Sequence, residues 1–218
     1  SRSRAQRVQQ LGQGRIGYIH LNAMVGTDVA EFAREFYAQV DRDGLIIDVR
    51  YNNGGNIDSW VLNTLMRRVW MYWQDRAPTG APYSTNMQQA VRGPMVVIAN
   101  GMTYSDGETF TEGFKRLKLG PVIGQRTAGA GVWLSDQNRL VDKGIARAAE
   151  FAQITPEDGR QIIEGVGVTP DIEVDNPPHA SFLGQDAQLE RAIAEVQKRI
   201  ADKSAVMTKP LPFARQQP

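Results

Sequence analysis

Apolar positions recur along this chain in two alternating rhythms. "RIGYIHL" (15–21) alternates and is rich in β-branched and aromatic residues, which predicts a strand. "TDVAEFAREFYAQVDRDG" then places Val29, Phe32, Phe36 and Val40 at helical spacing and closes on Gly44, which predicts a helix with a glycine stop. "LIIDVR" is a short continuous apolar run of the kind buried on both faces of a sheet. "NNGGN" interrupts it, and "IDSWVLNTLMRRVWMYW" resumes a helical period. After the loop "RAPTGAPYSTN" the plan repeats: strand "PMVVIAN", break "GMTYSDG", helix "ETFTEGFKRLK", strand "PVIGQR". Strands alternating with helices of this length predict right-handed crossover units on a largely parallel sheet, an α/β fold.

From residue 127 the texture changes to loops and short antiparallel strands, followed by the short strand "DIEVD". "DAQLERAIAEVQKRIADK" carries Leu189, Ile193, Val196 and Ile200 on one stripe and predicts an amphipathic helix. Residues 1–14 read as a polar lead-in from a preceding region, 15–201 as one domain, and 202–218 as a polar tail, either disordered or an arm onto a partner.

Composition narrows the chemistry. With 25 basic and 24 acidic residues among 218, the chain offers no electrostatic case for nucleic acid or an anionic membrane as a partner. No apolar run approaches the length of a membrane span, and the first residues lack the apolar core of a signal peptide. Without an initiator Met, the chain reads as a piece of something longer. Cysteine is absent, which excludes disulfides, a thiol nucleophile and thiolate metal sites. Nothing resembles a metal cluster or a dinucleotide fingerprint, so no cofactor is expected. "GQRTAGAG" lacks the Lys-Ser/Thr ending of a phosphate loop.

The two glycine-containing breaks, "DVRYNNGGN" and "ANGMTYSDGE", occupy equivalent places, each after a buried strand and before a helix. In a parallel sheet such turns lie at the carboxyl ends of the strands, where ligands bind. Backbone N–H groups of Gly54, Gly55 or Asn56 from one break and of Asp106 from the other could converge as an oxyanion hole. Local sequence also supports a plainer reading. Ser105-Asp-Gly-Glu108 fits the S-x-x-E capping box, in which Ser105 accepts a helix N–H and Glu108 reaches back. Thr103 stands where the first glycine of the G-x-S-x-G nucleophile elbow belongs.

Taken together, "GRIGYIHL", "GLIIDVRYNNGG", "ANGMTYSDGETF", "LGPVIGQRTAGAG", "EGVGVTPDIEVD" and "PPHASFLGQDAQLERAIAEV" resemble, in order, the C-terminal catalytic subdomain of the tricorn protease family. These are serine peptidases related to the C-terminal processing proteases, and the resemblance runs from about residue 7 to 201. It implies a crotonase-like fold, with Ser105 as nucleophile, Asp106 and Gly54 or Gly55 as oxyanion donors, and Glu164 as the carboxylate of a Ser-His-Ser-Glu relay. In the family the His and second Ser come from an N-terminal helical subdomain beyond a PDZ-like domain. His20 lies inside the first strand's apolar pattern, and His179 matches a position that is not the catalytic base. This chain is therefore expected to lack its own general base.

The resemblance further implies peptide or unfolded-protein substrates, assembly into a homo-oligomer and residence in the cytoplasm. It places Asp75 where an acidic S1 pocket would select basic residues, and it suggests that substrate pairs with a sheet edge near "GQRTAGAG". Two competing readings stand beside it. One is a self-contained hydrolase using Ser105, Asp171 and His179 in α/β-hydrolase order. The other is a non-catalytic crotonase-like binding or assembly module, because fold alone does not establish function.

Overall fold

The structure, a computed structural model, describes residues 2–73, 84–86 and 89–202. Helix α1 (Arg2–Leu11) leads into strand β1 (Ile16–His20), and α2 (Asp28–Tyr37) into β2 (Gly44–Asp48). Helix α3 (Asp58–Leu65) and the short strands β3 (Tyr72–Trp73) and β4 (Ser84–Thr85) precede β5 (Met95–Ala99). Helix α4 (Asp106–Arg116), β6 (Val122–Gly124), β7 (Trp133–Leu134), β8 (Ala149–Phe151), β9 (Ile172–Glu173), α5 (Pro178–Phe182) and α6 (Ala187–Asp202) complete the order. Strands β1, β2, β5, β6 and β9 form one sheet in that order, every pair parallel. β3 with β4, and β7 with β8, are separate antiparallel pairs.

Side chains alternate across the sheet, and two apolar layers follow from that. Leu45, Ile47, Val49, Met95, Val97 and Ala99 pack with Phe32, Phe36, Val61, Leu65, Phe110 and Phe114 of α2, α3 and α4. Ile46, Val96, Ile98 and Ile123 pack instead with Val8 of α1 and Leu189, Ala192, Ile193 and Val196 of α6. Covering both faces is what allows the continuous apolar runs of β2 and β5.

Three expectations need correction. The helix through Phe32 and Phe36 ends at Tyr37, well before Gly44, which opens β2 instead. A Cβ at Gly44 would lie 2.5 Å from Val196 Cγ1, so this glycine makes room for α6 rather than stopping α2. The helical period read through residue 73 stops at Leu65. Arg68 falls where the buried stripe of Val61, Leu62 and Leu65 would continue, and the aromatic pair Tyr72–Trp73 goes into a strand. Residues 2–11, read as polar lead-in, form α1, with Val8 buried against the sheet.

One buried charge network braces the carboxyl end of β2. Arg50 is 1% exposed, and its guanidinium donates to both oxygens of Asp48 and both of Asp186. An arginine this deep is tolerated only when its donors are matched. Asp186 also accepts the N–H of Leu189 and so begins α6. Burial opposes its charge, but Arg50 prevails and holds the carboxyl at about 2.

Candidate active site

The turn before α4 is built by short polar side chains. Thr103, fully buried, donates its hydroxyl to Val49 O (2.9 Å) and accepts the N–H of Asn100 (3.1 Å). Asn100 Oδ1 accepts the N–H groups of Tyr51 and Met102. Asn52, also buried, donates to Leu21 O (2.7 Å) and accepts the N–H of Gly54 (2.8 Å), while its carbonyl accepts the N–H of Tyr104 (2.9 Å). The ends of β1, β2 and β5 are thereby tied into one cluster of loops.

Ser105 sits on that cluster with φ 52° and ψ −121°. A non-glycine residue there is strained, and such residues persist only where the surroundings hold them. The turn from β5 into α4 is correspondingly sharp. It is achieved without a glycine at 103, because Thr103 turns its side chain inward to Val49. The capping-box expectation is overturned. Ser105 makes no side-chain cap bond, and Glu108 does not reach back to it. Glu108, fully buried, accepts instead from the Thr127 hydroxyl, the N–H of Gly129 (2.7 Å) and the N–H of Ala130 (2.8 Å). It thus fixes the loop after β6, whose Ala130 carbonyl accepts the N–H of Ser105 (3.1 Å).

Replacing Glu108 by Ala removes the acceptor of the buried Thr127 hydroxyl and of the part-buried Gly129 and Ala130 N–H bonds, each loss costing roughly 1–3 kcal/mol. The expected loss is about 3 kcal/mol or more of unfolding free energy, measured by denaturant titration, with Glu108→Gln between Ala and wild type. An unchanged midpoint for Glu108→Ala would refute this role.

The two glycines of "YNNGG" separate into distinct roles. Gly54 has φ +85°, and a Cβ there would lie 2.5 Å from Ser105 Cβ. Its N–H is already taken by Asn52. Gly55 forms a parallel bridge with Met24, whose N–H reaches Gly54 O (2.9 Å) and whose carbonyl accepts from Asn56 (2.7 Å). Both bonds come from the peptides flanking Gly55, so its own N–H faces the opposite side. Among the described residues neither the Gly55 N–H nor the Asp106 N–H has an acceptor.

Glu164 borders the same loop. Its Oε2 accepts the N–H groups of Gly131 (2.8 Å) and Val132 (3.0 Å), directly after Ala130. The preceding residue, Ile163, is buried with φ 74°, a conformation that a β-branched residue adopts only under constraint. Thr127, Asn52 and Ile163 were not singled out from sequence, and Glu108 was read there only as a capping residue. Thr127 and Asn52 had no signal beyond position inside the quoted motifs, and Ile163 directly precedes "EGVGVTPDIEVD".

Neither histidine is hydrogen-bonded to Ser105. His20 shares the sheet face of Ile16 and Tyr18, under α1 and α6, whereas Ser105 opens a helix on the other face. Its Nε2 lies 3.4 Å from Arg50 O, and burial lowers its pKa, keeping the ring neutral. His179 is exposed on α5. Asp171 accepts the N–H of Val122, the first residue of β6, and pairs with Lys115 at 3.4 Å. That places it at the amino ends of the strands, while Ser105 follows the carboxyl end of β5. The Ser105, Asp171, His179 arrangement is therefore not assembled. Asp75 lies outside the described residues. Among the described residues no group of His, Asp and Glu could hold a metal ion, and no helix is long and apolar enough to cross a membrane.

Known proteins resemble this chain in sequence and in fold. The sequence profile of peptidase family S41 matches residues 15–174. The tricorn protease of Thermoplasma volcanium is 38% identical over 189 residues, covering 87% of this chain and 18% of that relative. A tricorn protease homolog of Streptomyces coelicolor is 36% identical, covering 86% of this chain and 17% of its own length. The crystal structure of the tricorn protease superposes with a TM-score of 0.83 at 34% identity, over 90% of this chain and 19% of that one. The crotonase-like α/β architecture follows from that superposition. The chain spans about a fifth of the length of these relatives.

Proposed function

The chain belongs to peptidase family S41, in its tricorn protease branch, and on that footing we propose that it is the part of a serine peptidase that carries the nucleophile. The observation that carries the reading is Ser105 itself: a strained serine at a helix N-terminus, its hydroxyl unused in capping, near the Gly55 and Asp106 N–H groups, which have no acceptor among the described residues. Ser105 Oγ attacks the carbonyl carbon of the scissile peptide while a base takes its proton. The carbonyl oxygen becomes an oxyanion that the N–H groups of Gly55 and Asp106 receive, aided by the positive end of α4. Gly55 is favoured over Gly54 because the Gly54 N–H is occupied. Collapse returns the proton to the leaving amine, and water then hydrolyses the acyl-enzyme.

The base comes from a histidine outside this chain, steadied through a second serine by Glu164. One carboxylate oxygen of Glu164 holds the Gly131–Val132 backbone, leaving the other for that serine's hydroxyl. Peptides or unfolded proteins are the substrates, within a homo-oligomer that also contains the His-bearing and PDZ-like regions. The strain stored at Ser105 favours this reading over a silent binding module, which has no use for it.

The test is fluorophosphonate labelling with intact-mass detection and peptide mapping. The full-length polypeptide should label at Ser105, and the 218-residue chain alone should not. Labelling of the isolated chain would overturn the external base, and silence of both would overturn the peptidase reading.

A further inference from the structure

The two N–H groups assigned to the oxyanion sit on different segments, Gly55 in the β2–α3 loop and Asp106 at the start of α4. Their separation must be fixed closely, because a shift of about 1 Å at a reacting centre can cost on the order of 10²-fold in rate. The side chain of Asp106 spans the gap. Only 2% exposed, its Oδ2 accepts the N–H of Ile57 (2.8 Å) and of Asp58 (3.0 Å), the start of α3 and the residues just after Gly55 and Asn56. Ile57 occupies the N-cap position of α3 without a side-chain acceptor of its own, so Asp106 supplies the cap from another helix.

We propose that Asp106 is the positioning residue of the oxyanion hole: its backbone N–H is one donor, and its side chain clamps the segment that carries the other. This rests on the reading of Ser105 above.

The clamp also carries a protonation state. Among the described residues Asp106 Oδ1 has no hydrogen-bond partner, and it is buried. Burial first, and the Asp58 carboxyl facing it from α3 second, raise the Asp106 pKa to about 7, outweighing the two N–H groups that pull it down. The surrounding loops, residues 51–57, 99–105 and 127–132, contain no charged side chain. Of the nearby acids, Glu108 is committed to Thr127, Gly129 and Ala130, and Glu164 to Gly131 and Val132. Neutral Asp106 leaves the hole free of opposing charge. Ionised Asp106 sets a negative charge beside the forming oxyanion, so kcat falls as pH rises through about 7.

The experiment is steady-state kinetics of the full-length protein on a peptide substrate across the neutral pH range. Asp106→Asn keeps an acceptor for both N–H groups and cannot ionise. Its pH profile should lose the alkaline fall. Asp58→Asn should move that fall to lower pH. Asp106→Ala should lower kcat by about 10²-fold with little change in KM, because the oxyanion forms only after binding. A wild-type pH profile in Asp106→Asn, or wild-type kcat in Asp106→Ala, overturns the proposal while Ser105→Ala remains inactive. If Ser105→Ala is itself active, the underlying peptidase reading fails instead. Should Asp106→Ala not fold, the Asn variants' pH profiles decide alone.

Discussion

Ser105→Ala should lower kcat of the full-length protein about 10⁶-fold, the scale seen when a serine peptidase loses its nucleophile. The structure explains why this loss should come with little damage to the fold. The hydroxyl of Ser105 caps nothing, and its structural contributions are backbone ones that alanine retains: its N–H donated to Ala130 O and its carbonyl accepting from Glu108 and Thr109. KM should change little, and fluorophosphonate labelling should vanish. Asp171→Ala and His179→Ala should leave chemistry at Ser105 intact, because Asp171 is engaged with Val122 and Lys115 and His179 is exposed on α5. Peptidase activity surviving in Ser105→Ala would remove the serine mechanism altogether.

Gly54→Ala should be nearly as harmful, through geometry rather than chemistry. The added methyl would lie 2.5 Å from Ser105 Cβ, 3.0 Å from its Oγ and 3.1 Å from the Asp106 nitrogen. It meets Ser105 and the Asp106 nitrogen together, so either must shift by a sizeable fraction of an ångström. A loss of 10²-fold or more in kcat/KM is expected. Left-handed φ adds roughly 1–2 kcal/mol of strain for a residue with a Cβ. Gly159→Ala separates the two effects, because Gly159 has φ +70° with nothing within 4 Å of the added carbon. That control should lose stability alone, read as a lowered Tm with unchanged kcat/KM. Equal activity in the Gly54 and Gly159 variants would mean that close approach at Ser105 is irrelevant to function.

Much of the fold was legible in sequence because burial imposes period. The continuous apolar runs of β2 and β5 required cover on both faces, and Leu189, Ile193 and Val196 required a helix packed against them. Where two causes yield the same residue pattern, sequence could not choose. Gly44 suits a helix stop as well as close packing by Val196. The aromatic run ending at Trp73 suits either period.

The site divides along the same line. Motif order by itself determined the family resemblance, the strand-break-helix units and the candidates Ser105, Asp106, Glu164 and the glycine pair. These are local properties, written in consecutive residues. Only the tertiary structure decided against the cap, against Gly54 as a free donor, and against Asp171 with His179. Each of those choices turns on where a hydrogen bond goes, and its partner lies tens of residues away. Glu108 caps nothing because Thr127, Gly129 and Ala130 take its carboxylate, and Gly54 offers no donor because Asn52 takes its N–H. A buried polar group must find a partner, and which partner it finds is set by the packing of segments that the sequence lists apart.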